Sequence, residues 1–336
     1  MGISLRERER GRQTYRTERA HRPRRITPAG NRRRMLLIVN PHASAVSASM
    51  RGLVVRALET RFELDAVDTQ GPGHAIALSR EAADVGYDVV VALGGDGTVN
   101  EAANGLHGSP TPLSCLPGGS ANVFAKMLGI PSDLLDATEH LLALDDDWRR
   151  RKIDLGVVNG RCFTCNSGIG LDALVVERVD ANPRLKARLG PYYFAWVAVS
   201  TFLRRYLVRP PRMLVQAGER TLDGVMAIIQ NGKTFTYFHE RPIEIAEDVE
   251  LDSGALAGGV LHRVSLLSMP SVAWRALSHR SRVLGHRQIS PLRELSELTV
   301  RSADERPLPL QADGDYLGEV AEARYSVLPD ALHVIC

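Results

Sequence analysis

A chain of 336 residues with 44% hydrophobic content and a net charge of +3 is long enough for one large core or two ordinary ones, and two is the better expectation. Four scattered cysteines, Cys115, Cys162, Cys165 and Cys336, exclude a disulfide-stapled small fold, and no window reaches the roughly 18 uninterrupted apolar residues of a membrane-spanning helix. With no secretory leader recognisable, a reducing cytosol is expected.

The charge is uneven. Residues 1–34 hold 12 Arg against 3 Glu, a net +9 that leaves −6 on the rest of the chain. So little apolar content cannot order itself by burial, and a disordered Arg-rich tail is expected. It fits a solvated extension or a mis-assigned start as well as an arm for an anionic membrane, at about 1 kcal/mol per Arg near the surface. Specific nucleic-acid binding is not expected, because few aromatics are interleaved for stacking.

Four strand-loop-helix units follow. Met35–Asn40 reads as a strand ending in Asn40-Pro41, then a helix with Met50, Leu53, Val54, Ala57 and Leu58 on one face. Glu63–Thr69 is the second strand, before the turn Gly71-Pro72-Gly73 and a helix. Asp88–Leu93 is a buried-type strand that enters Gly94-Gly95-Asp96-Gly97-Thr98 and a helix from Val99 to Leu106. Pro112–Leu116 ends at Pro117-Gly118-Gly119-Ser120, before a helix over 121–128. Strands and helices alternating at this spacing predict a parallel, doubly wound sheet whose loops at the strand carboxyl ends converge on a ligand. Glycines ahead of a helix start suit a phosphate, since backbone N–H groups there attract anions. A helix capped by Ser132 or Asp133 and the Asp145-Asp146-Asp147 run close this first domain, 35–150.

Beyond Arg150 short strand-like runs recur at 153–158, 161–165, 213–217, 225–230, 261–267 and 298–302, separated by turn signals such as Asn159-Gly160 and Asp252-Ser253-Gly254. A second, mainly antiparallel β domain over 151–320 is expected, interrupted by a helical stretch at 171–208. Residues 321–336 carry two short apolar runs that allow a return to the first domain. The apolar stretch 191–208 reads as a core helix, an acyl-pocket wall or a bilayer contact.

Several motifs carry no function. A Walker-type phosphate loop is absent. Gly168–Ala173 matches G-x-G-x-x-A but lacks the partner strand and acid of a dinucleotide site. Cys162-x-x-Cys165 has no second pair for zinc, and His74 reads as a helix-start residue. Asp313-Gly314 alone is an ordinary hairpin signal, although two residues of extended chain would put Asp313 and Asp315 on one side.

Taken in order, Asn40-Pro41, Thr69 with Gly73-His74-Ala75, Gly94–Thr98 with Val99-Asn100-Glu101, Pro117–Asn122, Ile153–Gly156, Asn166 with Gly168–Ala173, Asn231-Gly232, Asp252–Gly254 and Asp313–Asp315 make the chain from Met35 onward resemble the diacylglycerol kinase catalytic family. Its bacterial soluble lipid kinases are the branch most alike, and the sphingosine kinases are related. The resemblance implies two domains with the active site in the cleft between them. It also implies transfer of the γ-phosphate of ATP, with magnesium, to a lipid hydroxyl, with diacylglycerol the first-choice acceptor.

Carried over residue by residue, Asn40, Pro41, Thr69, Gly94, Gly95, Asp96, Gly97, Thr98, Asn100, Glu101, Gly118, Gly119 and Ser120 surround the nucleotide. Asp96 acts through magnesium, Asp252 and Ser253 stand at a structural magnesium site, Asp172 meets the substrate, and Asp313 and Asp315 are catalytic. Asp315 stands where the family has a glutamate base, one methylene shorter. Ser253 replaces a carboxylate, and the first loop lacks the Gly and Lys that often follow Asn-Pro. A cytoplasmic, peripherally membrane-associated phospholipid-pathway enzyme follows, with a homodimer allowed. An NAD kinase, or a sensor of nucleotide or lipid with weakened catalysis, is the alternative.

Overall fold

The protein is described by a computed structural model over residues 32–43, 46–144, 148, 150–238, 241–246, 249–278 and 282–336. The Arg-rich segment through residue 31 and the Asp145–Asp147 run, and what was expected of them, lie outside the described residues. Residues 33–336 form one compact unit.

The first part alternates strands and helices: β1 (Arg34–Val39), α1 (Ala48–Glu59), β2 (Glu63–Asp68), α2 (His74–Val85), β3 (Val89–Gly94), α3 (Asp96–Leu106), β4 (Leu113–Pro117), α4 (Val123–Met127) and α5 (Leu134–Ala143). Val and Leu dominate β3, and β4 runs Leu113-Ser114-Cys115-Leu116-Pro117; both are completely buried, as strands covered on two faces require. The four strands are parallel in the order β2-β1-β3-β4; Leu37 pairs with Ala66 and Val91, and Val91 with Ser114. Ser47 and Asp133 cap α1 and α5 by accepting from backbone N–H groups. This is the doubly wound, parallel layout expected from the sequence.

The later part is β5 (Arg151–Val158), β6 (Arg161–Phe163), β7 (Asn166–Ile169), α6 (Leu171–Asp180), α7 (Pro183–Leu189), α8 (Pro191–Thr201), a π-helical turn (Phe202–Tyr206), β8 (Met213–Ala217), β9 (Arg220–Gly224), β10 (Met226–Gln230), β11 (Thr234–Phe238), β12 (Arg241–Glu244), β13 (Leu256–Leu261), α9 (Met269–Leu277), β14 (Ile289–Leu295), β15 (Glu297–Ser302), β16 (Leu308–Ala312), β17 (Asp315–Val320) and β18 (Glu322–Val334). Its pairings are antiparallel, apart from the single β18–β4 pairing.

Apart from the β11-β12 hairpin, which pairs only with itself, the strands divide between two sheets. One joins β18, β15, β8 and β9 to the edge of β4, with β5 on β18 and β6 on β5, for ten strands in all; the other runs β14-β13-β10-β7-β16-β17. The long β18 is the seam, pairing parallel with β4 at Leu113 and antiparallel with β5 and β15. Between the two sheets lies a shared apolar core in which Val158, Met213 and Tyr325 of the first meet Ile169, Ile229 and Leu310 of the second.

One strand expectation fails. Residues 261–267 are not a strand: β13 ends at Leu261, and the chain turns through 262–268 into α9. The strand lies five residues earlier, disguised by Gly258-Gly259. A β-carbon on Gly258 would stand 1.9 Å from the Ile228 carbonyl oxygen, so only glycine fits that pairing.

Candidate functional site

The carboxyl ends of β1 to β4 bring four loops together, and the glycines fit loop to loop. Asn40 donates its backbone N–H to Leu93 O and its side-chain amide to Thr98 Oγ1 at 3.2 Å, tying the first loop to the third. Gly118 N–H donates to Gly94 O at 2.8 Å. A β-carbon on Gly118 would stand 3.0 Å from the Gly94 α-carbon, and one on Gly119 2.6 Å from that of Gly95. The third and fourth loops therefore run backbone against backbone, which accounts for these glycines without any ligand. Asn122, held at φ +48, clamps the fourth loop by accepting from Gly119 N–H and donating to Gly119 O. Thr69 follows β2, its N–H given to Val39 O; Pro41 and Ser120 are exposed at the loop tips.

The helix begins three residues before the expected Val99, with Gly95 as N-cap and Asp96 in its first turn. An acid there suits the helix dipole. The Asp96 carboxylate accepts from Phe124 N–H at 3.1 Å, joining the starts of α3 and α4, and burial pushes its pKa up to about 6 against the pull of that bond. Asn100 and Glu101 support the site from within. Glu101 accepts from Gly73 N–H at 2.7 Å and Ala75 N–H at 3.1 Å, capping α2. Buried Asn100 donates to Cys162 O and Asp313 and accepts from Arg161.

Opposite these loops stands the turn between β16 and β17. Asp313 and Gly314 both have positive φ, +48 and +82, the two-residue turn that the Asp-Gly hairpin signal describes. The chain reverses there, so the expectation that Asp313 and Asp315 share a side is overturned. Asp313 points inward and is almost wholly buried. It accepts five hydrogen bonds, from Asn100 Nδ2, Thr164 N and Oγ1, Cys165 N and Asn166 N, at 2.6–3.0 Å. It is the anchor of the turn.

Asp315 points the other way, toward α3. A β-carbon on Gly97 would stand 3.4 Å from Asp315 Oδ1, and Arg161 approaches Oδ2 at 3.3 Å while donating to Asn100 Oδ1 at 2.9 Å. Burial pushes the Asp315 carboxyl up to about 6; the Arg161 guanidinium holds it down and the Asp313 charge adds to the rise. The turn is also tied to Asp172, whose Oδ2 accepts from Gln311 Nε2 at 2.6 Å while Gln311 Oε1 accepts from Gly314 N–H at 2.9 Å. Burial pushes Asp172 to about 6 as well, with the Gln311 bond lowering it.

The structure thus brings together Asn40, Gly94–Thr98, Gly118, Gly119 and Asp315. Asp252 is instead paired with Arg151 at 2.7 Å, half-exposed, and the Ser253 hydroxyl donates to backbone carbonyls. Among the described residues no three or more of His, Cys, Asp and Glu gather as a cation site. Asp96, a hard oxygen donor beside the loops, does suit magnesium, which takes one or two carboxylates together with substrate phosphates.

Sequence reasoning missed Arg161, Gln311 and Thr164. Arg161 follows the Asn159-Gly160 turn, both at positive φ, but only the antiparallel pairing of β6 with β5 carries it to the site. In the helical stretch, Tyr193, Val197, Phe202 and Tyr206 are buried core, whereas Tyr192, Trp196, Val199 and Leu203 are exposed.

Residues 34–158 match the family model described as the diacylglycerol kinase catalytic domain. A diacylglycerol kinase of Staphylococcus carnosus is 23% identical, over 86% of this chain and 90% of its own length. One from Staphylococcus haemolyticus is 23% identical over 84% and 82%. The crystal structure of a diacylglycerol kinase from Bacillus anthracis superposes with a TM-score of 0.68 at 23% identity, covering 90% of this chain and 96% of that one, and has the same fold.

Proposed function

We propose that this chain, which through residues 34–158 belongs to the diacylglycerol kinase catalytic family, is a kinase that transfers the terminal phosphoryl group of ATP, with magnesium, to a lipid hydroxyl, diacylglycerol being the acceptor to test first. The observation that carries this reading is the Asp315 carboxylate lying against Gly97, in the first turn of α3. A proton acceptor beside a helix start is what phosphoryl transfer to an alcohol asks for: anion-binding N–H groups on one side, a base on the other.

In this reading the N–H groups at the start of α3 receive phosphate oxygens, and the Gly118-Gly119 loop, whose own N–H groups are given to Gly94 O and Asn122 Oδ1, closes beside them. Asp96 would hold magnesium, which when bound supplies charge neutralisation at the transferring group. Asp315 takes the proton of the attacking hydroxyl through a carboxylate oxygen, and Arg161 keeps that carboxylate ionised and oriented toward α3. Being an aspartate, it reaches the hydroxyl from a turn pinned by Asp313. Such chemistry is mostly positioning, so the loop-to-loop packing matters as much as the base. Asp172, linked to the same turn through Gln311, is the acid placed to meet the polar end of the acceptor.

The test is incubation of purified protein with labelled ATP, magnesium and a panel of lipids, with NAD in parallel. Label in phosphatidate upholds the reading. Label in NADP moves the chain to the NAD kinases, and nucleotide binding without transfer to any acceptor makes it a sensor.

A further inference from the structure

The amphipathicity of α9 is turned outward. Pro270, Ala273, Trp274 and Leu277 share one exposed stripe, and none of the nine residues of the helix is buried. Its less exposed side holds Met269, Val272 and Ala276, with Met269 and Ala276 packed on separate apolar clusters, and Ser271 Oγ meets His286 Nε2 at 2.8 Å. In the preceding turn Leu266 and Leu267 stand in solvent, Leu267 at 95% exposure. A surface helix of a globular protein normally shows the opposite pattern, and contiguous exposed apolar groups mark a contact surface.

The charge around this surface names the partner. From residue 253 to 293 the sequence holds six arginines and no Asp or Glu. Arg263, before the apolar stripe in the chain, and Arg287, after it, are both exposed. Two copies of this chain meeting here would set arginine against arginine, which disfavours a symmetric dimer through the same face. Exposed apolar side chains in a stretch of sequence that carries arginines and no Asp or Glu match the headgroup region of an anionic bilayer, where large apolar groups enter the acyl boundary and guanidinium groups meet phosphate. The segment is held to the body through Val264 and Met269, which pack on the apolar cluster that also takes Tyr193 and Val197 of α8.

We propose that the Leu266-Leu267 turn and the outer face of α9 dock this protein onto anionic membranes by shallow insertion. No helix of the described residues is long and apolar enough to cross one. The inference rests on the lipid-kinase reading for its purpose, since a bilayer is where the acceptor would be met, but the surface is testable without turnover.

The experiment is co-sedimentation of the full chain with vesicles of phosphatidylglycerol and phosphatidylcholine, or of phosphatidylcholine alone. Binding is compared for the wild type and Leu267→Asp with Trp274→Asp. In parallel, phosphorylation is measured of diacylglycerol embedded in those vesicles and of dissolved dioctanoylglycerol. The double variant is expected to lose at least about ten-fold in binding to anionic vesicles and in turnover of embedded lipid, while keeping turnover of the dissolved one. A second variant, Arg263→Gln with Arg287→Gln, leaves the apolar face in place and is expected to weaken binding to anionic vesicles alone.

Unchanged vesicle binding by both variants overturns the docking surface, as does a wild type that ignores vesicles. So does a wild-type oligomer that the double variant dissolves with vesicle binding intact. Vesicle binding lost in the variants, with no lipid phosphorylated even by the wild type, upholds the surface and removes the lipid-kinase reading instead.

Discussion

The carboxylate of Asp315 lies 3.4 Å from the point where a β-carbon on Gly97 would stand. That distance is ordinary contact, so alanine fits, but it fills the gap in which hydroxyl and phosphate would meet. Alanine is also the better helix residue. Gly97→Ala should therefore keep or slightly raise the melting temperature while phosphoryl transfer falls, a split read by thermal unfolding alongside a kinase assay.

Replacing the proposed base tests its role directly. Asp315→Asn should cut transfer by about 10²–10⁴-fold and leave nucleotide affinity near the wild-type value in a titration. Asp315→Glu restores the length of the family's carboxylate and should retain transfer.

The ionisation of that group sets a pH profile. Burial raises Asp315 to about 6 and Arg161 opposes the rise. A base works deprotonated, so the rate should climb through about pH 6. Arg161→Gln removes the lowering charge and should move the acid limb to higher pH, with Arg161→Lys restoring part of the shift. A profile that stays put in Arg161→Gln would separate the arginine from the proton step.

Asp172 offers a stability reading with the opposite sense from a salt-bridged acid. Its pKa is raised to about 6 by burial, so between its ordinary value and about 6 the folded state binds more proton than the unfolded one. Stability from this group is present at low pH and lost as pH rises through that window. Asp172→Asn keeps an acceptor for Gln311 and cannot ionise. Its melting temperature relative to wild type should rise between about pH 4 and pH 7.

Asp313 should matter for folding more than for chemistry. Asp313→Ala strands five donors that now share one carboxylate. A loss above about 3 kcal/mol is expected in chemical denaturation, since hydrogen bonds to a charged group contribute about 1.5–3 kcal/mol each.

The parallel half of the fold is legible because β1 and β3 are apolar runs, all four strands end in turn residues, and a doubly wound sheet gathers such ends; β2, with Glu63, Asp65 and Asp68, is the edge strand. The loop glycines are legible as a site, but their first cause is steric: Gly94 and Gly95 face Gly118 and Gly119 across a gap no side chain fits. Asp315 is visible only through family resemblance, because its approach to Gly97 depends on pairing between β16 and β7, far apart in the chain. Spacing misleads at Asp313, where two positive φ angles reverse the chain between acids that an extended strand would align. Strands β13, β16 and β17 are hidden by their own glycines and Pro309, tolerated where neighbouring backbones crowd or the register shifts.

The seam strand β18 has a consequence for how the molecule is made. Leu113 of β4 finds its neighbour on that side only at Val334, and β5 likewise pairs with a partner nearly as remote. As the polypeptide leaves the ribosome, the helices and the first four strands can gather early, yet β4 keeps an open hydrogen-bonding edge until 322–334 emerge. Final assembly is therefore a late, non-local event. Nascent chains stalled before that point should be the ones that recruit chaperones or aggregate.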